Sequence, residues 1–230
     1  MDSDVFAAQG CKAVDTQRSF ITGVYLWMGA ALAITGITAY LTLSTGVYEL
    51  VFTSRFAPIV LVLAELGVVM FLSARINSLS AFAATLLFLV YSTLNGVTFS
   101  VIFLVYTSTS IATVFFITAG MFAGMSVFGF ITKADLTKMR SILGMALWGI
   151  IIASVVNLFL RSSGFNWLLS FITVIVFSGL TVYDAQKLTK IAASSDYNMQ
   201  RKQSIIGALN LYLDFINMFL AMLRIFGRRN

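Results

Sequence analysis

Long apolar runs separated by short polar connections recur seven times along the chain, at about 20–44, 56–74, 81–106, 109–131, 141–160, 167–186 and 204–224. Each is close to the roughly 20 residues a helix needs to cross a bilayer. The apolar residues come in blocks rather than at amphipathic spacing, so the pattern predicts an all-α integral membrane protein with seven transmembrane helices. The polar connections hold 11 of the 24 charged residues: Glu49 to Arg55, Arg75 to Ser80, Thr132 to Arg140, Arg161 to Asn166 and Ala192 to Lys202. None is long enough for a soluble domain. The organisation expected is a tail over 1–19 followed by one transmembrane domain over 20–230, with no clear internal repeat.

Composition agrees, with 59% hydrophobic and 10% charged residues against roughly a quarter charged in ordinary soluble domains. The net charge of +6 raises the question of nucleic acid. Lys and Arg nevertheless sit between apolar runs instead of forming a stripe, so the lipid bilayer is the expected partner and nucleic acid is not. Counting Lys and Arg on the alternate sides of the spans puts ten with the N-terminus and five opposite. That bias places the N-terminus in the cytoplasm and the C-terminus outside. The basic end, Arg224, Arg228 and Arg229, pulls against this, and a re-entrant last segment would reverse its side. The tail has no basic region like that of a signal peptide, so the first run is expected to stay as a span.

Chemistry is restricted just as strongly. The single cysteine, Cys11, excludes an internal disulfide and a cysteine-rich metal site. The absence of histidine removes zinc, haem, Ser-His and Cys-His chemistries. No catalytic residue and no resident cofactor are expected. Gly120-x-x-x-Gly124 in the fourth run is a small-residue face that reads as ordinary helix packing.

Three acids lie within apolar runs: Glu65, Asp184 and Asp214. A charge at such a depth costs at least about 2.5–3.5 kcal/mol, which makes each a functional candidate. In the seventh run Gly207, Asn210, Asp214, Asn217 and Ala221 share one helical face, with Leu211, Phe215, Met218 and Met222 opposite. No face of this helix is uniformly suited to lipid, so it is a candidate for the centre of the bundle. In the sixth run Ser178, Thr181 and Asp184 recur at three-residue spacing, placing Asp184 in its last turns near the inner mouth. If the two carboxylates meet, they share a proton and titrate as a coupled pair. The same oxygens suit a hard cation such as Ca²⁺, bound weakly because two aspartates fall short of its usual six to eight ligands. Arg75 reads equally as a latch on that pair or as a positive-inside anchor. Arg224 and Glu65 form a second candidate pair, with snorkelling for the arginine and a neutral, hydrogen-bonded state for the acid as the alternatives.

Several segments resemble the transmembrane Bax-inhibitor motif family, also called the Bax inhibitor and lifeguard family, in its bacterial form. They are Val24-Tyr25-Leu26-Trp27-Met28-Gly29, Leu94-Asn95-Gly96-Val97-Thr98, Phe128-Gly129-Phe130-Ile131-Thr132-Lys133-Ala134-Asp135-Leu136, Gly179-Leu180-Thr181-Val182-Tyr183-Asp184-Ala185-Gln186-Lys187 and Gly207-Ala208-Leu209-Asn210-Leu211-Tyr212-Leu213-Asp214-Phe215-Ile216-Asn217. The last two are the specific ones. The resemblance implies seven helices with the seventh enclosed by the others, and a pH-sensitive calcium leak with Asp184 and Asp214 as the sensor and Arg75 at the latch position. It implies calcium ions and protons as the species handled; a short chain without organelle signals favours a bacterial inner membrane as the setting. Some bacterial members bind a membrane-anchored AAA protease, which makes a non-conducting regulator the main rival. An intramembrane aspartyl protease is the lesser one: Tyr183-Asp184 fits it, but Leu211-Tyr212-Leu213-Asp214 lacks Gly-x-Gly-Asp, and Pro58, the one proline, lies outside any Pro-Ala-Leu.

Overall fold

A computed structural model describes the backbone of residues 2–76, 78–194 and 197–230 and the side chains of residues 17–76, 78–192 and 202–230. Cys11 and the acids of the tail fall outside the described side chains. The elements are α1 (Asp2–Ser44), α2 (Val47–Thr53), α3 (Ala57–Arg75), α4 (Ala81–Phe99), α5 (Ile102–Val105), α6 (Ser108–Ile131), α7 (Thr137–Leu160), α8 (Ser163–Ser194) and α9 (Tyr197–Phe226). Among the described residues there is no strand beyond an isolated bridge from Tyr106 to Arg229.

Seven segments are long and apolar enough to cross a membrane: Gln17–Ser44, Ala57–Arg75, Ala81–Val105, Ser108–Ile131, Thr137–Leu160, Ser163–Ala192 and Lys202–Phe226. They match the seven runs, with differences at their ends. Helix α1 already begins at Asp2, inside the expected tail. Helix α8 continues to Ser194 instead of stopping near 186. Lys187 and Lys190 end the apolar run there, but no Gly or Pro follows to end the helix, so Asp184 is not in its last turns. The third crossing is interrupted after Phe99, where Ser100 N–H reaches both the Gly96 and Val97 carbonyls and Ser100 Oγ donates to Val97 O. The connection after α1 contains its own helix, α2, which Gly46 initiates at φ 75°, a left-handed turn that glycine adopts without strain. Pro58 stands in the first turn of α3, where its missing N–H costs nothing. Ser80 Oγ accepts from Ala83 N–H, and Thr107 Oγ1 from Ser110 N–H, capping α4 and α6.

The chain divides into two compact units, residues 1–103 with 188–209, and residues 104–187 with 210–230. In the first, α4 packs on α1 and α3. Helices α1 and α4 meet at Gly96, where a Cβ would lie 2.6 Å from Thr38 Cβ and 2.8 Å from the Thr35 carbonyl. Thr35 Oγ1 lies 2.9 Å from Ser92 O across that contact. The start of α9 closes on the end of α8, with Gly207 against Leu188.

In the second unit, Gly129 of α6 rests on α8: a Cβ there would lie 2.5 Å from the Val182 carbonyl and 2.8 Å from Ala185 Cβ. Gly120 and Gly124, the pair with motif spacing, have nothing within 4 Å of such a Cβ. The close crossing is therefore made by Gly129 and not by that pair. Phe215 of α9 takes edge contacts from Phe115 and Phe122 of α6, with ring centroids 5.3 and 5.5 Å apart. Gln186 Nε2 donates to the Thr132 and Ala134 carbonyls beyond the far end of α6. At the near end, Thr107 N–H donates to Arg228 O and Asn230 N–H to Val105 O. The end of α9 and the 132–134 connection thus sit at opposite ends of α6. The last helix is long and apolar enough for a full crossing.

The last crossing is the most enclosed, with 72% of its apolar window buried against 39% or less in the other six. Leu211, Phe215, Met218 and Met222 on one face and Asp214 and Ala221 on the other are all buried. Both faces are covered by protein, as the lack of a lipid-suited stripe predicts.

Candidate functional site

Helix α8 carries Asp184 and helix α9 carries Asp214, and both open into one cavity of about 410 Å³ within the second unit. Two further residues of the α9 polar face, Asn210 and Asn217, line it, at i−4 and i+3 from Asp214. Leu147, Ile151, Phe177, Leu180 and Leu213 supply the apolar remainder. Asp214 is 4% exposed, and among the described residues its Oδ2 has no hydrogen-bond partner. A buried carboxylate oxygen without a donor is expensive, so the cavity is where its proton, a water or a cation must come from. Asn217 Nδ2 donates to Leu213 O within its own helix, which leaves its amide oxygen to the cavity. Asp184 acts electrostatically on Asp214.

Two cations that the sequence did not single out also line this cavity, Arg140 from the first turn of α7 and Lys187 from α8. Both act electrostatically on Asp184. Lys187 follows Asp184 by three residues and so shares its face, a relation open to reading in the sequence. Arg140 sits where topology alone calls for a basic residue, and nothing in the sequence pointed it at the pair. The Asp184 segment is positioned from two sides, by Gly129 against Val182 and Ala185 and by Gln186 on the 132–134 connection. That connection is ordered in turn by Asp135, whose Oδ1 accepts from Thr137 N–H and Oγ1 at the start of α7.

The other candidates are not among the residues that line this cavity. Arg75 belongs to the first unit, in the last turn of α3, with its side chain exposed and its carbonyl accepting from Ser78 and Leu79. Glu65 accepts a hydrogen bond from Thr98 Oγ1 of α4. Thr181 is fully buried and its hydroxyl donates to Phe177 O, 2.8 Å away in its own helix, so it satisfies itself. Arg224 lines a second cavity with Arg161. Among the described residues, no group of three or more His, Cys, Asp or Glu side chains could hold a metal ion.

Residues 17–230 match the family described as "Inhibitor of apoptosis-promoting Bax1". An inner membrane protein of Escherichia coli K12, YbhL, is 49% identical over 92% of each chain. An uncharacterized protein of Borreliella burgdorferi is 44% identical over 93% of each, and the uncharacterized RP147 of Rickettsia prowazekii 41% identical over 92% of this chain and 90% of its own.

Proposed function

Because this chain belongs to the Bax inhibitor family, we propose that it is a pH-sensitive calcium leak channel and not an enzyme, gated by protonation of the Asp184–Asp214 pair. The observation that carries this reading is the shared cavity, into which both carboxylates open and where one buried oxygen has no donor among the described residues. The proposed setting is a bacterial inner membrane with the N-terminus in the cytoplasm.

The chemistry follows from the charges that line the space. With both acids ionised, Arg140 and Lys187 balance them, and Arg75 is the further latch that the family resemblance suggests. A shared proton removes one negative charge and loosens the hold of those cations, which biases a closed–open equilibrium. Calcium is the permeant ion. Asp184, Asp214 and the amide oxygens of Asn210 and Asn217 are the hard oxygen donors it would meet, too few to hold it tightly. Weak binding is what passage requires.

The test is calcium flux into liposomes holding the purified protein, across a pH series. Asp184→Asn and Asp214→Asn are expected to flatten the pH response. Unchanged rates and an unchanged response in both variants would remove the sensor assignment.

A second reading has one observation in its favour: no residue in the apolar window of α7 is buried. A regulator that docks on another membrane protein, such as an AAA protease, would use such a face. It predicts no ion flux from the purified protein and partner co-purification that survives both aspartate substitutions.

A further inference from the structure

At the end of α7 opposite Arg140 lies a second cavity of about 460 Å³, lined by Ser154, Asn157, Leu158, Arg161, Ser162, Ser163, Asn166 and Arg224. Unlike the first, it pairs its cations with no acid. Two guanidinium groups, three serine hydroxyls and two asparagine amides line it, without a carboxylate. Among the described residues, neither guanidinium has a hydrogen-bond or ion-pair partner. Asn157 Oδ1 is taken by Ser162 N–H, which leaves its amide N–H₂ as a donor. Arg161 is held at φ 51°, a left-handed setting where glycine would be the less strained choice.

We infer that this cavity binds a phosphate oxyanion, and that its occupant is the headgroup of an anionic phospholipid. Planar guanidinium forks match phosphate oxygens, and hydroxyl and amide donors complete such a shell. The depth supports a lipid. Arg140 and Arg161 are 21 residues apart along α7, roughly 30 Å, which is the thickness of the hydrocarbon layer. Arg161 therefore stands at the lipid–water boundary. Beside it Leu158, Phe159 and Leu160 are 73%, 83% and 61% exposed, a surface for acyl chains. Trp167 is 54% exposed one turn into α8, where an aromatic ring marks that boundary.

The experiment titrates the full chain in a neutral detergent with short-chain phosphatidylglycerol, phosphatidylcholine of the same chains, or sodium phosphate at constant ionic strength, following thermal unfolding. Phosphatidylglycerol is expected to stabilise the protein, with phosphatidylcholine and phosphate far weaker. Arg161→Gln and Arg224→Gln should each weaken apparent binding about fivefold, and the double variant on the order of 25-fold. Ser163→Asp places a negative charge in the cavity at a helix start that favours one, so it should block binding while the fold is kept. Equal stabilisation of the wild type and these variants would overturn the site, as would no preference for phosphatidylglycerol over phosphatidylcholine. Phosphate acting as strongly as the lipid would keep the oxyanion site and overturn the lipid as its occupant.

Discussion

Gly129→Ala adds one methyl group at the tightest point between α6 and α8. The new carbon would start 2.5 Å from the Val182 carbonyl oxygen, where ordinary contact begins near 3.4 Å, so α6 or α8 has to move by about 0.9 Å. The obstacle is backbone, which cannot rotate away. Overpacking of this kind costs about 1–3 kcal/mol, offset by about 1 kcal/mol because alanine favours helix over glycine, for a net loss of about 0–2 kcal/mol. Gly120→Ala and Gly124→Ala are the internal controls, since nothing lies within 4 Å of their added carbons. Only the propensity gain remains for them. Unfolding in a fixed detergent mixture should therefore rank Gly129→Ala about 1–3 kcal/mol below both controls. The displaced segment, 182–185, contains Asp184, so the same substitution should also alter the pH response of flux. Equal stability of the three variants would refute the packing argument, and an unaltered pH response would separate that contact from the site.

Thr98→Val removes the hydroxyl that donates to Glu65, and an interhelical hydrogen bond in a membrane averages about 0.6 kcal/mol, measurable in the same unfolding assay. Thr181→Val should change stability by less than about 0.5 kcal/mol and leave flux intact, because among the described residues its hydroxyl serves only Phe177 O. Gln186→Ala loses two hydrogen bonds to the 132–134 connection and should cost about 1–2 kcal/mol, with faster amide exchange in that connection. If a single shared proton gates the channel, flux should change by no more than about tenfold per pH unit, and a steeper titration would require a second proton.

The seven crossings were readable because bilayer thickness acts on run length, and run length is local. Helix ends were less so: Lys187 and Lys190 end hydrophobicity without ending α8, since lysine is a good helix former. The candidate site divides along the same line. Asp184, Asp214, Asn210 and Asn217 stood out because each is a polar residue where an apolar one is cheaper, a statement about one position at a time. That α8 and α9 turn these residues toward one cavity depends on how distant helices rotate against each other. Arg140 stayed hidden because the positive-inside tendency already explained it. Gly120-x-x-x-Gly124 was no guide to the close crossing for a related reason: spacing records which residues share a face and not whether a neighbour lies against it.

The aromatic contacts of Phe215 bear on how Asp214 is aimed. Neighbouring residues of an α-helix point about 100° apart. With its ring seated between Phe115 and Phe122, Phe215 sets the azimuth of the last helix, and Asp214 is steered from the next position along. A smaller side chain at 215 would free the helix to roll about its axis, and the carboxylate would swing off its bearing while its depth in the bilayer stayed the same.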